Sequence, residues 1–156
     1  MALEAGTKAP EFKAQADGGR EIKLSDYKGK WLVLYFYPKD NTPGCTKEAC
    51  SFKDNMEKIA SEGAAVIGVS PDNAGSHDKF KEKYDLNFDL AADPDKEICN
   101  LYDVIGEKKM FGKTSMGVIR QTYIIDPEGV IRHVYPKVKV DGHVDDVIEK
   151  LRELQG

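Results

Sequence analysis

The sequence predicts an α/β protein: a central mixed β-sheet flanked by helices, with a small β-hairpin added at the N-terminus. Three observations carry this. The runs Trp31-Leu32-Val33-Leu34-Tyr35-Phe36-Tyr37 and Ala64-Ala65-Val66-Ile67-Gly68-Val69 are continuously apolar and of strand length, as central strands buried on both faces require. Apolar residues recur at helical spacing in the gaps, so strand and helix alternate. Late in the chain, Gln121 to Ile125 and Val130 to Tyr135 flank Asp126-Pro127-Glu128-Gly129, a turn signal that makes them an antiparallel hairpin and the sheet a mixed one.

The elements follow in order. Phe12-Lys13-Ala14 and Glu21-Ile22-Lys23 around Asp17-Gly18-Gly19 form the N-terminal hairpin. After the first apolar run, Pro43 opens a helix whose single apolar stripe is Cys45, Ala49, Phe52, Met56 and Ile59. Ala74, His77, Phe80 and Tyr84 mark a second helix, and Asp93-Pro94 opens a short third through Ile98, Leu101 and Tyr102. Val144, Val147, Ile148, Leu151 and Leu154, set among charges, give a final amphipathic helix. Gly106 to Thr114 has no clear period and is expected to be a loop.

A chain of 156 residues with 40% hydrophobic and 32% charged residues is expected to be one globular domain, 1–156, with neither linker nor repeat. Its formal net charge of -4 argues against nonspecific binding to nucleic acid or anionic membrane, leaving small solutes and protein partners. The opening Met1-Ala2-Leu3-Glu4 has neither a basic n-region nor an apolar h-region, so the expected location is cytoplasmic.

Three cysteines, Cys45, Cys50 and Cys99, are too few for a secreted disulfide scaffold and imply a reducing compartment. Zinc needs about four ligands, and one cysteine pair with scattered histidines does not supply them, so no metal is expected. Redox chemistry is the stronger reading. With Thr42 as N-cap, Cys45 is the third residue of its helix, where unpaired N–H groups and the helix dipole favour a thiolate. Gly44 beside it leaves room for a small molecule. The competing reading is a cysteine that merely packs on the core stripe.

The run Pro38, Thr42, Cys45, with the opening Gly6-x-x-Ala9-Pro10-x-Phe12, Tyr35-Phe36-Tyr37-Pro38 and Arg120 before the late strand, resembles the peroxiredoxins over nearly the whole chain. Gly44 and Cys50 resemble the Q-type subgroup, the bacterioferritin comigratory proteins. The resemblance implies a thioredoxin-like fold and a thiol-dependent peroxidase acting on hydrogen peroxide and organic hydroperoxides. It further implies Cys45 as the peroxidatic cysteine, with Thr42, Pro38 and Arg120 completing the catalytic set and Cys50 as the resolving cysteine. Some members place the resolving cysteine in the following helix, but here Phe80-Lys81-Glu82 contains none. A thioredoxin-like dithiol is the implied reductant, no cofactor is implied, and a monomer is expected.

On an intact helix, residues five apart have α-carbons about 8.6 Å apart. A disulfide tolerates about 7 Å, so pairing of Cys45 with Cys50 demands that the helix start unwind. Glu48 has two readings, a brace for Arg120 or Thr42 and a solvated carboxylate near a helix N-terminus. Tyr37 is the aromatic expected to wall the pocket, Cys99 and the histidines are read as packing or surface residues, and Lys108-Lys109 as solvated. Two rival functions are weaker. A disulfide oxidoreductase on this fold would carry a CxxC, which is absent, and a redox-switched binding protein would not require Thr42 and Arg120.

Overall fold

The computed structural model describes residues 3–156. The N-terminal hairpin forms as expected from β1 (Lys13–Ala16) and β2 (Glu21–Lys23). The central strands are β3 (Trp31–Phe36) and β4 (Ala64–Ser70), paired parallel in register from Trp31 and Ala64 to Phe36 and Val69. A further parallel strand, β5 (Asp89–Ala92), lies beside β4 and carries β1 antiparallel on its other edge. The late hairpin consists of β8 (Gln121–Ile125) and β9 (Ile131–Tyr135), closed by Asp126, whose carboxylate accepts from the amides of Glu128 and Val130. These seven strands form one mixed sheet in the order β2-β1-β5-β4-β3-β8-β9.

The pleat of β3 divides the interior into two layers. Leu32, Leu34 and Phe36 face one, with Ile67, Val69, Tyr102 and Tyr123. Val33, Tyr35 and Tyr37 face the other, with Phe52, Phe80 and Val147. α4 (Glu97–Leu101) feeds Ile98 and Cys99 into the first layer, and Asp93 caps it by accepting from the amides of Ile98 and Cys99. The second layer is covered by α1 (Pro43–Asp54), α2 (Met56–Ser61), α3 (Ala74–Tyr84) and α5 (His143–Gln155).

Two expectations are corrected. The apolar stripe from Cys45 to Ile59 is two helices, because Asn55 leaves helical geometry (φ -112°, ψ 6°) while its side chain donates to the Ser51 carbonyl. The expected loop from Gly106 to Thr114 is instead a second hairpin, β6 (Ile105–Met110) paired with β7 (Lys113–Val118). Its turn places Phe111 and Gly112 at positive φ, the two-residue geometry that matches strand twist. Most of β7 is exposed, so no apolar alternation marks it in the sequence. Phe111 at the tip is 96% exposed.

The register of the antiparallel pair β3 and β8 sets Phe36 opposite Gln121. The end of β3 therefore lies beside the start of β8, and the loop into α1 meets the residue just before β8. That residue is Arg120. No helix among the described residues is long and apolar enough to cross a membrane.

Candidate active site

Thr42 has extended geometry and Pro43 is the first residue of α1, so Cys45 is the third residue of the helix, as the sequence predicts. The Thr42 side chain does not cap the helix. Its hydroxyl donates to the Lys39 carbonyl at 3.0 Å, leaving the oxygen lone pairs as acceptors and the first N–H groups of α1 without a side-chain cap. Cys45 is 1% exposed, one face of the first turn being packed against the sheet.

Arg120 joins this turn from the other side. Its Nη2 donates to Cys45 Sγ at 3.3 Å and its Nη1 to Glu48 Oε1 at 2.6 Å. Burial opposes the guanidinium charge, yet Glu48 and Cys45 hold its pKa above the ordinary value. Glu48 is thus the brace for Arg120 and not a solvated carboxylate: it is 1% exposed, and burial outweighs Arg120 and pushes its pKa up to about 7. Among the described residues, Glu48 Oε2 and Tyr35 Oη are buried without a hydrogen-bond partner. Gly68 makes the Tyr35 position possible, since a Cβ there would stand 2.8 Å from the Tyr35 ring. The space beside Gly44 is not simply open to a small molecule: a Cβ would come within 3.3 Å of Arg120 Nη2, so this glycine also admits the arginine.

Pro38 lies half-buried in the loop leaving β3. Tyr37 is buried and its hydroxyl donates to Asp40 at 2.5 Å, which directs its polar end to that carboxylate. Cys50 lies on the same helix as Cys45, half-buried, its thiol pKa raised by burial and by Asp54. All three cysteines are free, and α1 is continuous from Cys45 to Cys50. Cys99 is wholly buried in the other core layer, and burial followed by Asp93 pushes its thiol pKa well up.

Three features escape sequence reasoning. Lys108 is half-buried with its stem against Gly117 on the second hairpin, and burial, then Arg120, lowers its pKa, while Cys45 acts in the opposite sense. His143, at the start of α5, is buried against Thr122, with its pKa lowered to about 4 chiefly by burial. Asp40 and His77 form an ion pair inside the protein, 2.7 Å apart. A histidine on the apolar stripe of α3 was the available signal for the last.

Glu48 gives the protein a pH dependence whose sign is fixed. A carboxyl whose folded pKa is raised from 4.5 to about 7 contributes stability that is complete below pH 4.5 and lost as pH rises through 7. Glu48→Gln keeps an acceptor for Arg120 without the charge. Thermal melts of this variant across pH 4.5 to 7 are expected to lack a decline that the parent shows, amounting to a few kcal/mol at most. Equal slopes in the two proteins would remove Glu48 as the cause.

The AhpC/TSA family model matches residues 5–134. Peroxiredoxin Bcp of Bacillus subtilis is 49% identical over 154 residues, 99% of this chain and 98% of that protein. A solved bacterioferritin comigratory protein of Xanthomonas campestris, described for alkyl peroxide reduction, superposes with a TM-score of 0.91 at 38% identity, over 98% of this chain and 100% of the other. A mutant of PrxQ from Xylella fastidiosa superposes with a TM-score of 0.94 at 36% identity, over 100% and 99%. The mixed sheet and its flanking helices are therefore the thioredoxin-like fold of these proteins. Matched along nearly its full length in both sequence and structure, the chain belongs to the AhpC/TSA family and is a peroxiredoxin, a thiol-dependent peroxidase.

Proposed function

We propose that Cys45 is the sulfur that attacks peroxide, and that Cys50 resolves the product within the same chain. The observation that carries this is the contact of Arg120 Nη2 with Cys45 Sγ at 3.3 Å, which sets a cation on the sulfur at an uncapped helix N-terminus. The Cys45 thiolate displaces at one oxygen of the hydroperoxide. An S–O bond forms and keeps the hydrogen of the attacked oxygen as sulfenic acid, the O–O bond breaks, and the departing hydroxide or alkoxide takes a proton from solvent to leave as water or alcohol. Arg120 stabilises the charge that moves onto the leaving oxygen, and the Thr42 oxygen accepts a hydrogen bond from the hydroperoxide O–H, orienting the substrate. Pro38, with no N–H to offer, helps shield this pocket from water.

Cys50 then attacks the Cys45 sulfenic acid; the S–S bond forms and water leaves. With α1 intact the two α-carbons stand about 8.6 Å apart, so this step follows unwinding of the helix start. An external dithiol of the thioredoxin kind reduces the disulfide by exchange. Hydrogen peroxide and organic hydroperoxides are the substrates, the latter supported by the alkyl peroxide reduction described for the Xanthomonas campestris protein. Because both cysteines lie on one helix, a single domain of residues 1–156 working as a monomer completes the cycle. Three free cysteines fit a reducing compartment such as the cytoplasm.

Stopped-flow mixing of pre-reduced protein with hydrogen peroxide, with no donor present, tests the reading. One equivalent of peroxide is expected to disappear together with two thiols. Cys50→Ser is expected to keep this single turnover and lose donor-driven cycling, while Cys99→Ser does neither. If Cys99→Ser stops cycling and Cys50→Ser does not, Cys50 is the wrong partner. In the oxidised protein, amide exchange is expected to quicken over residues 47–52 while β3 stays protected; unchanged protection there would show that the helix does not open.

A further inference from the structure

The loop between β3 and α1 is fastened to α3 far more firmly than to the helix it introduces. Asp40 is buried, and its carboxylate accepts from Tyr37 Oη at 2.5 Å, Ser76 Oγ at 2.8 Å and His77 Nδ1 at 2.7 Å. The Asp40 amide donates to Asp72 Oδ2 at 2.8 Å. Asn41, in left-handed geometry, accepts at Oδ1 from Tyr84 Oη at 3.1 Å and Lys83 Nζ at 3.3 Å. His77 itself is fully buried with its Nε2 on the Ala91 carbonyl at 3.0 Å. A carbonyl only accepts, so Nε2 carries a proton, and Nδ1 faces the Asp40 carboxylate, a partner that favours a second proton and the imidazolium form. Asp40, Asp72 and His77 hold three potential metal-binding atoms within 4.8 Å of one another, but hydrogen bonds already engage those atoms.

The first turn of α1 has weaker ties. Thr42 caps it only through its carbonyl, which accepts from the Thr46 amide at 2.8 Å, and besides the packing of Cys45 against the sheet its polar ties are Arg120 on Cys45 and Glu48 and the exposed pair Lys47 with Asp141. Oxidation of the sulfur to a neutral sulfenic acid removes the charge that Arg120 addresses, while every tie of the loop survives it. We infer that Asp40 and His77 are positioning residues of the peroxidase site, their buried pair fixing the loop of residues 38–42 to α3 in both redox states so that α1 unwinds only beyond it. The part about unwinding rests on the Cys45–Cys50 disulfide proposed above; the positioning of Thr42 and Cys45 does not.

The pair also gives the site a pH signature. The groups facing the His77 ring are Asp40 and Tyr37 from β3 and its loop, Ser76 from its own helix, Asp72 after β4, and the Ala91 carbonyl of β5. Burial works against the ring's charge, but the hydrogen bond and charge of Asp40, aided by Ala91 and Asp72, hold its pKa above the ordinary value. The clamp is therefore complete below the ordinary histidine range and is lost as pH rises through the raised value.

The decisive measurement is the rate of Cys45 oxidation by hydrogen peroxide against pH, in Cys50→Ser protein with and without His77→Gln. His77 protein is expected to rise as thiols ionise and then fall at alkaline pH. The Gln variant, which offers Asp40 a donor but no titrating charge, is expected to lack the falling limb and to run roughly tenfold slower at neutral pH through misplaced geometry. Ser76→Ala supplies a milder variant: Asp40, short of one donor, holds the His77 proton more tightly, and the falling limb is expected to shift to higher pH. Superimposable profiles for the parent and the folded variants would overturn the proposal. In wild-type protein the Asp40 amide is expected to stay protected after oxidation while residues 47–52 exchange; an Asp40 amide that opens with them would overturn it as well. Should Cys45 and Cys50 fail to pair, the disulfide reading falls, and the Cys50→Ser comparison still decides the clamp.

Discussion

Replacing Cys45 by Ser is expected to end peroxide consumption, leaving less than about a thousandth of the parent rate. A serine hydroxyl stays protonated at neutral pH and its oxygen has no reversible two-electron oxidation to offer, so neither attack nor sulfenic acid formation has a substitute. The other thiols do not take over. Cys99 lies in the opposite core layer with its pKa pushed up by burial, and Cys50 is half-buried with its pKa raised by burial and Asp54 against Lys53, no cation among the described residues donating to its sulfur as Arg120 does to Cys45. The side chain at position 45 changes by one atom in a packed site, so the fold is expected to survive, as a circular dichroism melt will check. Retention of stoichiometric peroxide loss by the folded Ser variant would show that another thiol is the nucleophile.

The second large effect is expected from Arg120→Met, which should slow the peroxide step by more than thirtyfold. An ordinary thiol is roughly 3% ionised at pH 7, so full ionisation is worth no more than about thirtyfold, or roughly 2 kcal/mol of barrier. Any greater loss must come from the transition state, where Arg120 meets charge on the leaving oxygen. The structure adds a complication and its remedy. Removing Arg120 strands the Glu48 carboxylate, whose one bonded oxygen loses its partner and whose other has none. The stranded group either takes a proton or repels the thiolate. The double variant Arg120→Met, Glu48→Gln removes that repulsion, and its rate at a pH where Cys45 is ionised isolates the transition-state contribution. Recovery of the parent rate there would mean that Arg120 serves only to ionise the sulfur.

The parts of the fold readable from sequence are those with strong local signals. β3 and β4 are continuous apolar runs, β8 abuts a strong turn signal and α5 has a clean apolar stripe, so each was recoverable within a residue or two. β5 was not, because Asp89-Leu90-Ala91-Ala92 is short and poor in β-formers; pairing with β4 and β1 makes it a strand. The break at Asn55 was hidden because Met56 and Ile59 keep the stripe of α1 in phase. At the site, Thr42 and Cys45 could be placed from one contiguous motif. The contact of Arg120 with Cys45 depends on the pairing of β3 with β8, and the meeting of Asp40 with His77 on the packing of α3, neither of which a local pattern encodes.

The break at Asn55 also governs how the enzyme resets. α1 has 12 residues, close to the limit of about 12–15 below which a helix is marginal alone, so packing keeps it wound. Its far end is pinned by Phe52, stacked 4.6 Å from Tyr35, by Lys53 on the Tyr84 carbonyl and by Asn55 on the Ser51 carbonyl. In the proposed cycle that end remains helical while the first turns open. Once the disulfide is reduced, winding proceeds by adding residues to an existing helical end and bypasses the unfavourable nucleation factor of about 10⁻³. Such growth takes on the order of nanoseconds per residue. The interval between successive turnovers is then set by how often a reductant arrives, and the folding of the chain adds no waiting time of its own.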